Sequence, residues 1–178
     1  MSIWRDMSRD RVSQDSFVAV IEIPKGCKVK YELDKDTGML RMDRILYTST
    51  HYPANYGFIP LTYASDDDPL DVLVFCSESI IPMTLVSCYP IGVIIMEDEG
   101  YVDEKIIAIP HGDPTYNSYK NIEELPPHIF SEMTHFFSVY KSLEGKETDL
   151  ESVKGVVEAR MTIQRGIDRY WEEFGEQK

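Results

Sequence analysis

Seven short segments rich in Val and Ile, each closed off by Pro, Gly or Asp, occupy the first two-thirds of this chain: SFVAVIEIP, KVKYELD, GMLRMDRIL, DVLVF, TLVSC, IGVIIM and KIIAIP. β-Branched residues in such runs favour strands, and strands following one another through turn residues close into an antiparallel barrel or sandwich. DKDTG, between the second and third segments, predicts a hairpin connection. The period changes after Ile129, where Met133, Phe136, Phe137 and Tyr140 recur at helical spacing and Gly145 suits the helix end. A second helix is expected to begin at TDLE, where Thr148 and Glu151 have capping-box spacing. Its apolar positions are Val153, Val156, Val157, Ile163, Ile167, Tyr170, Trp171 and Phe174. The 178 residues contain no repeat, low-complexity tract or linker, so one α+β domain spanning 1–178 is expected.

Charge narrows the function. The net charge of -13 argues against non-specific nucleic-acid binding, which needs a basic surface. It also repels an anionic substrate unless metal cations or a local basic cluster invert the field. Cys27, Cys76 and Cys88 are odd in number and widely spaced, with no CxxC or Cys/His zinc pattern, which predicts free buried thiols in a reducing compartment. The first residues are broken by charges, and no run approaches the roughly 18 apolar residues of a spanning helix. A cytoplasmic protein with no membrane partner is expected.

Several charges fall on strand faces that otherwise read as apolar. Arg44 shares a face with Leu40, Met42 and Leu46, and Glu22 shares one with Val18 and Val20. Such a charge sits either at a strand end in solvent or inside with a partner. Lys28, Lys30 and Glu32 line one face of the KVKYELD segment, which alone reads as a solvated face. Two acidic clusters each adjoin a strong strand: Asp66, Asp67, Asp68 and Asp71 before VLVF, and Asp98, Glu99 and Asp103 after GVIIM. If the strands are neighbours, these clusters supply hard oxygen ligands from two sides, the donors that Mg²⁺, Mn²⁺ or Ca²⁺ prefer.

An EF-hand fits poorly, because Leu70 stands where a third oxygen ligand belongs and Asp71 where the loop needs Gly. A DxD phosphotransferase motif would follow its strand, whereas here the strand follows the motif. A solvated acidic turn is the commonest fate of such a string, yet Asp71 opens a strand that reads as buried. Basic donors (Lys30, Arg44, Lys105, Lys141) and phenols (Tyr52, Tyr56, Tyr140) complete a set suited to a small, highly charged phosphoryl substrate. There is no GxxxxGK nucleotide loop and no Ser-His-Asp pattern.

The string Asp66-Asp67-Asp68-Pro69-Leu70-Asp71-Val72 resembles the signature of the soluble family I inorganic pyrophosphatases. VIEIP, VKYELDKDTG, DRIL, YPANYGFIP, DEGYVDEK, AIPHGDP and HFFSVYKSLEGK resemble further family segments in order, from about Phe17 to Lys146. The chain looks like a bacterial-type member. The resemblance implies Mg²⁺-dependent hydrolysis of pyrophosphate to two orthophosphates on a five-stranded OB-like antiparallel barrel flanked by two main C-terminal helices. It assigns Asp66, Asp71 and Asp103 to a first Mg²⁺, with Asp71 shared by a second. Asp98 and Asp103 go to a further ion, with Glu22, Glu32 and Glu99 in the surrounding acidic shell. Asp68 matches the general base acting on a metal-bridged water. Lys30, Arg44, Tyr56, Tyr140 and Lys141 match the substrate contacts, with Tyr52 and Lys105 in support. Mn²⁺ or Zn²⁺ substitutes for Mg²⁺ in such enzymes and relaxes them toward ATP.

Two positions depart from the pattern: His51 replaces a more usual apolar residue, and Asp67 stands where Gly is often found. Relatives of bacterial type are commonly homohexamers built from trimers, and His135 is a candidate contact. The rival readings are an OB-type nucleic-acid module using its tyrosines as stacking platforms, a non-catalytic calcium binder, and a nucleotide phosphohydrolase.

Overall fold

The structure is a computed structural model and describes residues 2–175. Eight strands and two α-helices follow one another as β1 (Phe17–Ile23), β2 (Val29–Leu33), β3 (Leu40–Ile45), β4 (Asn55–Phe58), β5 (Asp71–Val74), β6 (Leu85–Asp98), β7 (Tyr101–Pro110), α1 (Pro127–Val139), β8 (Thr148–Gly155) and α2 (Val156–Phe174). Strands β1-β4-β5-β7-β6 form a sheet that closes on itself when the start of β6 pairs with β1. The expected α+β class, a five-strand ring with two main helices, is what the chain adopts. Four of the five seams are antiparallel, and β5 runs parallel to β7, pairing Asp71 with Lys105. That single parallel seam departs from a wholly antiparallel ring.

Residues 72–74 of β5 and 106–110 of β7 are buried on both faces, which is why these stretches read as apolar runs. Val72, Val74, Ile106 and Ala108 join a core completed by Ala159, Ile163 and Tyr170 of α2. Their neighbours Leu73, Ile107 and Ile109 join a second core with Met133, Phe136 and Phe137 of α1. β2 and β3 form a separate hairpin with no ladder to the ring.

The structure changes several expected elements. TLVSC and IGVIIM are one long strand, β6, because Pro90 lies at a register shift rather than at an end. β4 lacks a strand-like pattern and was missed; Gly57 is required in it because a Cβ there would lie 1.8 Å from Val20 O. The helix expected from Thr148 begins at Val156 instead, and TDLESVKG pairs with β6 as β8. The open edge of β6 outweighs the local capping box there, since its backbone groups need partners. The Met42 face is also not apolar: Met42 is 58% exposed, and an extra residue at Asp43 turns Arg44 inward instead. All three cysteines are unpaired, with Cys27 only half-buried. Among the described residues, no helix is long and apolar enough to cross a membrane.

Candidate active site

One end of the ring opens into a cavity of about 620 Å³ beneath the β2–β3 hairpin. Sequence elements far apart meet there because the sheet register aligns them. The β6–β7 hairpin pairs Met96 with Asp103, and the parallel seam sets Asp71 opposite Lys105. α1 ends at the cavity with Tyr140 and Lys141.

The acidic turn before β5 is shaped by its own hydrogen bonds. Asp68 N–H donates to Asp66 Oδ1 at 3.2 Å, and Ala64 N–H donates to Asp68 O at 2.8 Å. Thr62 Oγ1 accepts the Leu70 N–H at 2.9 Å and locks the entry to the strand. Asp67 takes a left-handed φ of 67°, which explains why Gly suits this place, and its carboxylate accepts the Tyr63 hydroxyl at 2.8 Å.

Lys105 is the centre of the network. Its ammonium, 3% exposed, donates to Asp71 Oδ2 at 2.8 Å and Tyr56 Oη at 2.9 Å and lies 3.0 Å from Asp103 Oδ2. Tyr56 in turn donates to Asp71 Oδ2 at 2.5 Å. Burial alone would lower the pKa of Lys105, but Asp103 and Asp71 outweigh it and hold that pKa well above the usual lysine value. Burial raises Asp103, with Lys105 opposing the rise and Asp71 adding to it. Burial likewise raises Asp66, helped by Asp71. Glu22 is almost fully enclosed, and burial pushes it up to about 8 although the Leu33 N–H donates to its Oε1 at 2.7 Å. Tyr52, Tyr56 and Tyr140 are all raised above the ordinary phenol value, chiefly by burial.

Lys141 pairs with Asp98 Oδ2, while Asp98 Oδ1 is buried with no hydrogen-bond partner among the described residues. Lys30 pairs with Glu32 Oε1 at 2.5 Å and both line the cavity, although the face they share with Lys28 reads alone as solvated; Lys28 is outside the lining. Thus Asp66, Asp68, Asp71, Asp98, Asp103, Glu22, Glu32, Lys30, Lys105, Lys141, Tyr52, Tyr56 and Tyr140 all line it. Two expected residues stand outside the lining. Arg44 is held by Asp43 at 2.5 Å and lies 2.8 Å from Glu144. Glu99, in the turn after β6, meets Lys146 at 2.8 Å, which lowers its pKa.

The cavity also contains residues that sequence reasoning missed: Trp4, Asp34, Lys35, Asp36 and Arg41. The charged DKDTG turn was the available signal, but a hairpin turn is polar wherever it points. In total nine carboxylates (Glu22, Glu32, Asp34, Asp36, Asp66, Asp68, Asp71, Asp98, Asp103) face five cationic side chains (Lys30, Lys35, Arg41, Lys105, Lys141), so an anion entering alone meets net repulsion. The donor set is all oxygen and includes the unpartnered Asp98 Oδ1, which fits hard divalent cations. Among the described residues no three carboxylates already converge as a ligand cluster, and Lys105 stands between Asp71 and Asp103.

Comparison with known proteins agrees with this chemistry. The inorganic pyrophosphatase family model matches residues 19–171. An inorganic pyrophosphatase of Aquifex pyrophilus is 45% identical over 170 residues, 94% of this chain and 96% of the relative. Soluble inorganic pyrophosphatase 2 of Chlamydomonas reinhardtii is 44% identical over 171 residues, 96% of this chain and 89% of the relative. A solved inorganic pyrophosphatase from the bacterium Helicobacter pylori superposes with a TM-score of 0.88 at 39% identity, covering 93% of this chain and 98% of that one. The chain belongs to the inorganic pyrophosphatase family, whose members are hydrolases.

Proposed function

We propose that this chain, folded as one domain, hydrolyses inorganic pyrophosphate to two orthophosphates with Mg²⁺, and that Asp68 is the general base. The observation that carries this reading is the meeting of carboxylates, lysines and buried tyrosines in one cavity with a carboxylate excess. Asp66, Asp71, Asp103 and Asp98 are the residues that would hold the ions, with Glu22, Glu32 and Glu99 in the acidic shell. When bound, divalent cations neutralise crowded carboxylates and polarised phosphoryl oxygens, and they make a water acidic enough to attack near neutral pH.

The remaining work falls to the chain itself. Asp68, on the exposed side of its turn, accepts a proton from the attacking water. Lys30 and Lys141, in the cavity lining, hold phosphoryl oxygens and neutralise charge on the departing phosphate. Arg44, outside that lining, joins them on exchanging Asp43 and Glu144 for a phosphoryl oxygen. Tyr56 and Tyr140 remain protonated at neutral pH because burial raises their pKa, so Tyr140 donates a hydrogen bond to those oxygens and Tyr56 does so once its hydroxyl leaves Asp71 Oδ2. Tyr52 packs on Phe136 with ring centroids 4.8 Å apart and holds the aromatic wall in place. Lys105 fixes Asp71 and Asp103 relative to each other.

Phosphate release from pyrophosphate and from ATP, each with and without Mg²⁺, tests the reading. Rapid release from pyrophosphate only with Mg²⁺, slow release from ATP, and a gain in ATP turnover with Mn²⁺ or Zn²⁺ are expected. Equal rates with and without a chelator would overturn it. The same reading places the protein in the cytoplasm, in keeping with its unpaired cysteines. It also makes the chain a homo-oligomer, a hexamer by resemblance, with the exposed His135 as a candidate contact. Analytical ultracentrifugation showing a monomer at micromolar concentration would remove that part.

A further inference from the structure

The turn between β2 and β3 is fixed by Asp34 Oδ1, which accepts the N–H groups of Asp36 at 3.0 Å and Thr37 at 2.9 Å. This shape sends Lys35 across the cavity to the barrel, where its ammonium pairs with Asp68. The same ammonium stands 4.8 Å from the centroid of the Trp4 ring. Trp4 is a fixed platform, 3% exposed. Its indole N–H donates to Thr62 O at 3.0 Å, its carbonyl accepts the Leu61 N–H at 3.0 Å, and Tyr63, Tyr170 and Phe174 surround its ring.

Lys35 differs from the hairpin's other cavity-lining cations. Lys30 and Arg41 both meet Glu32, a residue of the hairpin itself. Lys35 instead pairs across the cleft, with the acidic turn of the ring. Its ammonium and the Asp68 carboxylate are 42% and 58% exposed as side chains, so the pair contributes little stability and exchanges readily for a better anion. A diphosphate is that better anion, because each phosphoryl group offers more charge and more acceptors than one carboxylate. The flexible stem of lysine lets the ammonium move without moving the backbone.

We propose that Lys35 is a further substrate-binding residue of this site: it serves as the counter-ion of Asp68 before substrate enters, and its ammonium then passes to a non-bridging phosphoryl oxygen of the diphosphate. The transfer leaves the Asp68 carboxylate oxygens open to the hydrogen bond of the attacking water. This inference rests on the pyrophosphate-hydrolysing reading above and adds to it a residue, a position on the cavity rim and an exchange of partners.

Phosphate-release kinetics with Mg²⁺ on the full chain, its Lys35→Ala variant and its Lys35→Arg variant test the proposal. Loss of one charge-assisted contact is expected to raise KM for pyrophosphate about tenfold in the Ala variant, with a smaller fall in kcat, and Arg is expected to restore most of the KM. A second measurement uses Trp4 as reporter in a Trp171→Phe background, titrated with methylenediphosphonate, a diphosphate that cannot be hydrolysed. Emission is expected to change as the ammonium leaves the indole face, and not to change in the same background carrying Lys35→Ala. A KM within roughly twofold of the parent in the Ala variant would overturn the proposal. So would a Trp4 signal that is silent in the parent or persists without Lys35. Should the Ala variant fail to fold, the parent and Arg variant decide by the same Trp4 response. An active parent with an unaffected Ala variant removes only the role of Lys35, whereas a parent that releases no phosphate removes the function and this inference together.

Discussion

Asp68 is the residue whose charge can be removed at least structural expense. Its backbone makes the hydrogen bonds that shape the turn, and among the described residues its carboxylate pairs with the exposed Lys35. Asp68→Asn is therefore expected to unfold within about 0.5 kcal/mol of the parent, yet to lose roughly 10²–10⁴ in turnover if it is the base. Denaturant melts beside phosphate-release rates check both halves. Glu22 is the opposite case. Burial raises it from 4.5 to about 8, so the folded chain favours its protonated form. Its contribution to stability is complete below pH 4.5 and is lost as pH rises through about 8. In metal-free buffer, stability is expected to fall by on the order of a few kcal/mol across that window, and Glu22→Gln to flatten the fall. Urea denaturation at a series of pH values, with chelator present, measures the difference. Identical pH profiles for the two chains would show that Glu22 titrates as an ordinary carboxylate.

The site is assembled by pairings between strands rather than by any one element. The parallel seam between β5 and β7 puts Asp71 opposite Lys105, residues that no local pattern connects. β4 matters in the same way, carrying Tyr56 into reach of Asp71 while Gly57 lets β1 approach. A Cβ at Gly57 would meet Val20 O at 1.8 Å, and the next nearest atoms, Val20 C and Ile21 Cα, are also β1 backbone, so no flexible side chain is there to yield. Gly57→Ala is accordingly expected to cost about 3 kcal/mol or more and to lower activity through Tyr56, measured by thermal melts and turnover. An alanine variant as stable as the parent would mean that the two strands part easily there. The acidic turn, the helical stripe of α1 and the β2–β3 hairpin were legible in the sequence because turn chemistry and side-chain period specify them locally. β8 was not legible: TDLESVKG carries a helix start signal, and only the waiting edge of β6 makes it a strand.

At the scale of the whole molecule, the net charge of -13 and the carboxylate excess of the cavity act in the same direction. Both disfavour the compact state until cations are present. A cation that binds the folded chain and not the unfolded one adds about 2.7 kcal/mol at a hundredfold excess over its Kd. For a chain of this size that corresponds to a rise in Tm of roughly 5–10 °C. Melting in Mg²⁺ against chelator, with ionic strength matched by a monovalent salt, measures the specific part. A Tm that follows ionic strength alone would assign the effect to general screening of the surface and not to the cavity.

The sequence by itself determined the residue types and the local geometry: a strand-rich body, a helix carrying Met133, Phe136 and Phe137, and an acidic turn opening a buried strand. These follow from interactions within a few residues, where period, turn propensity and charge crowding are directly readable. The resemblance carried by Asp66 through Val72 supplied the roles to be expected of them. Only the tertiary structure decided which charges share a cavity, that Arg44 and Glu99 stand outside its lining, that Lys35 reaches Asp68, and that TDLESVKG extends a sheet. Each of those outcomes depends on the register and closure of a ring whose partners lie tens of residues apart, and backbone groups at a sheet edge recruit partners whatever the local sequence prefers.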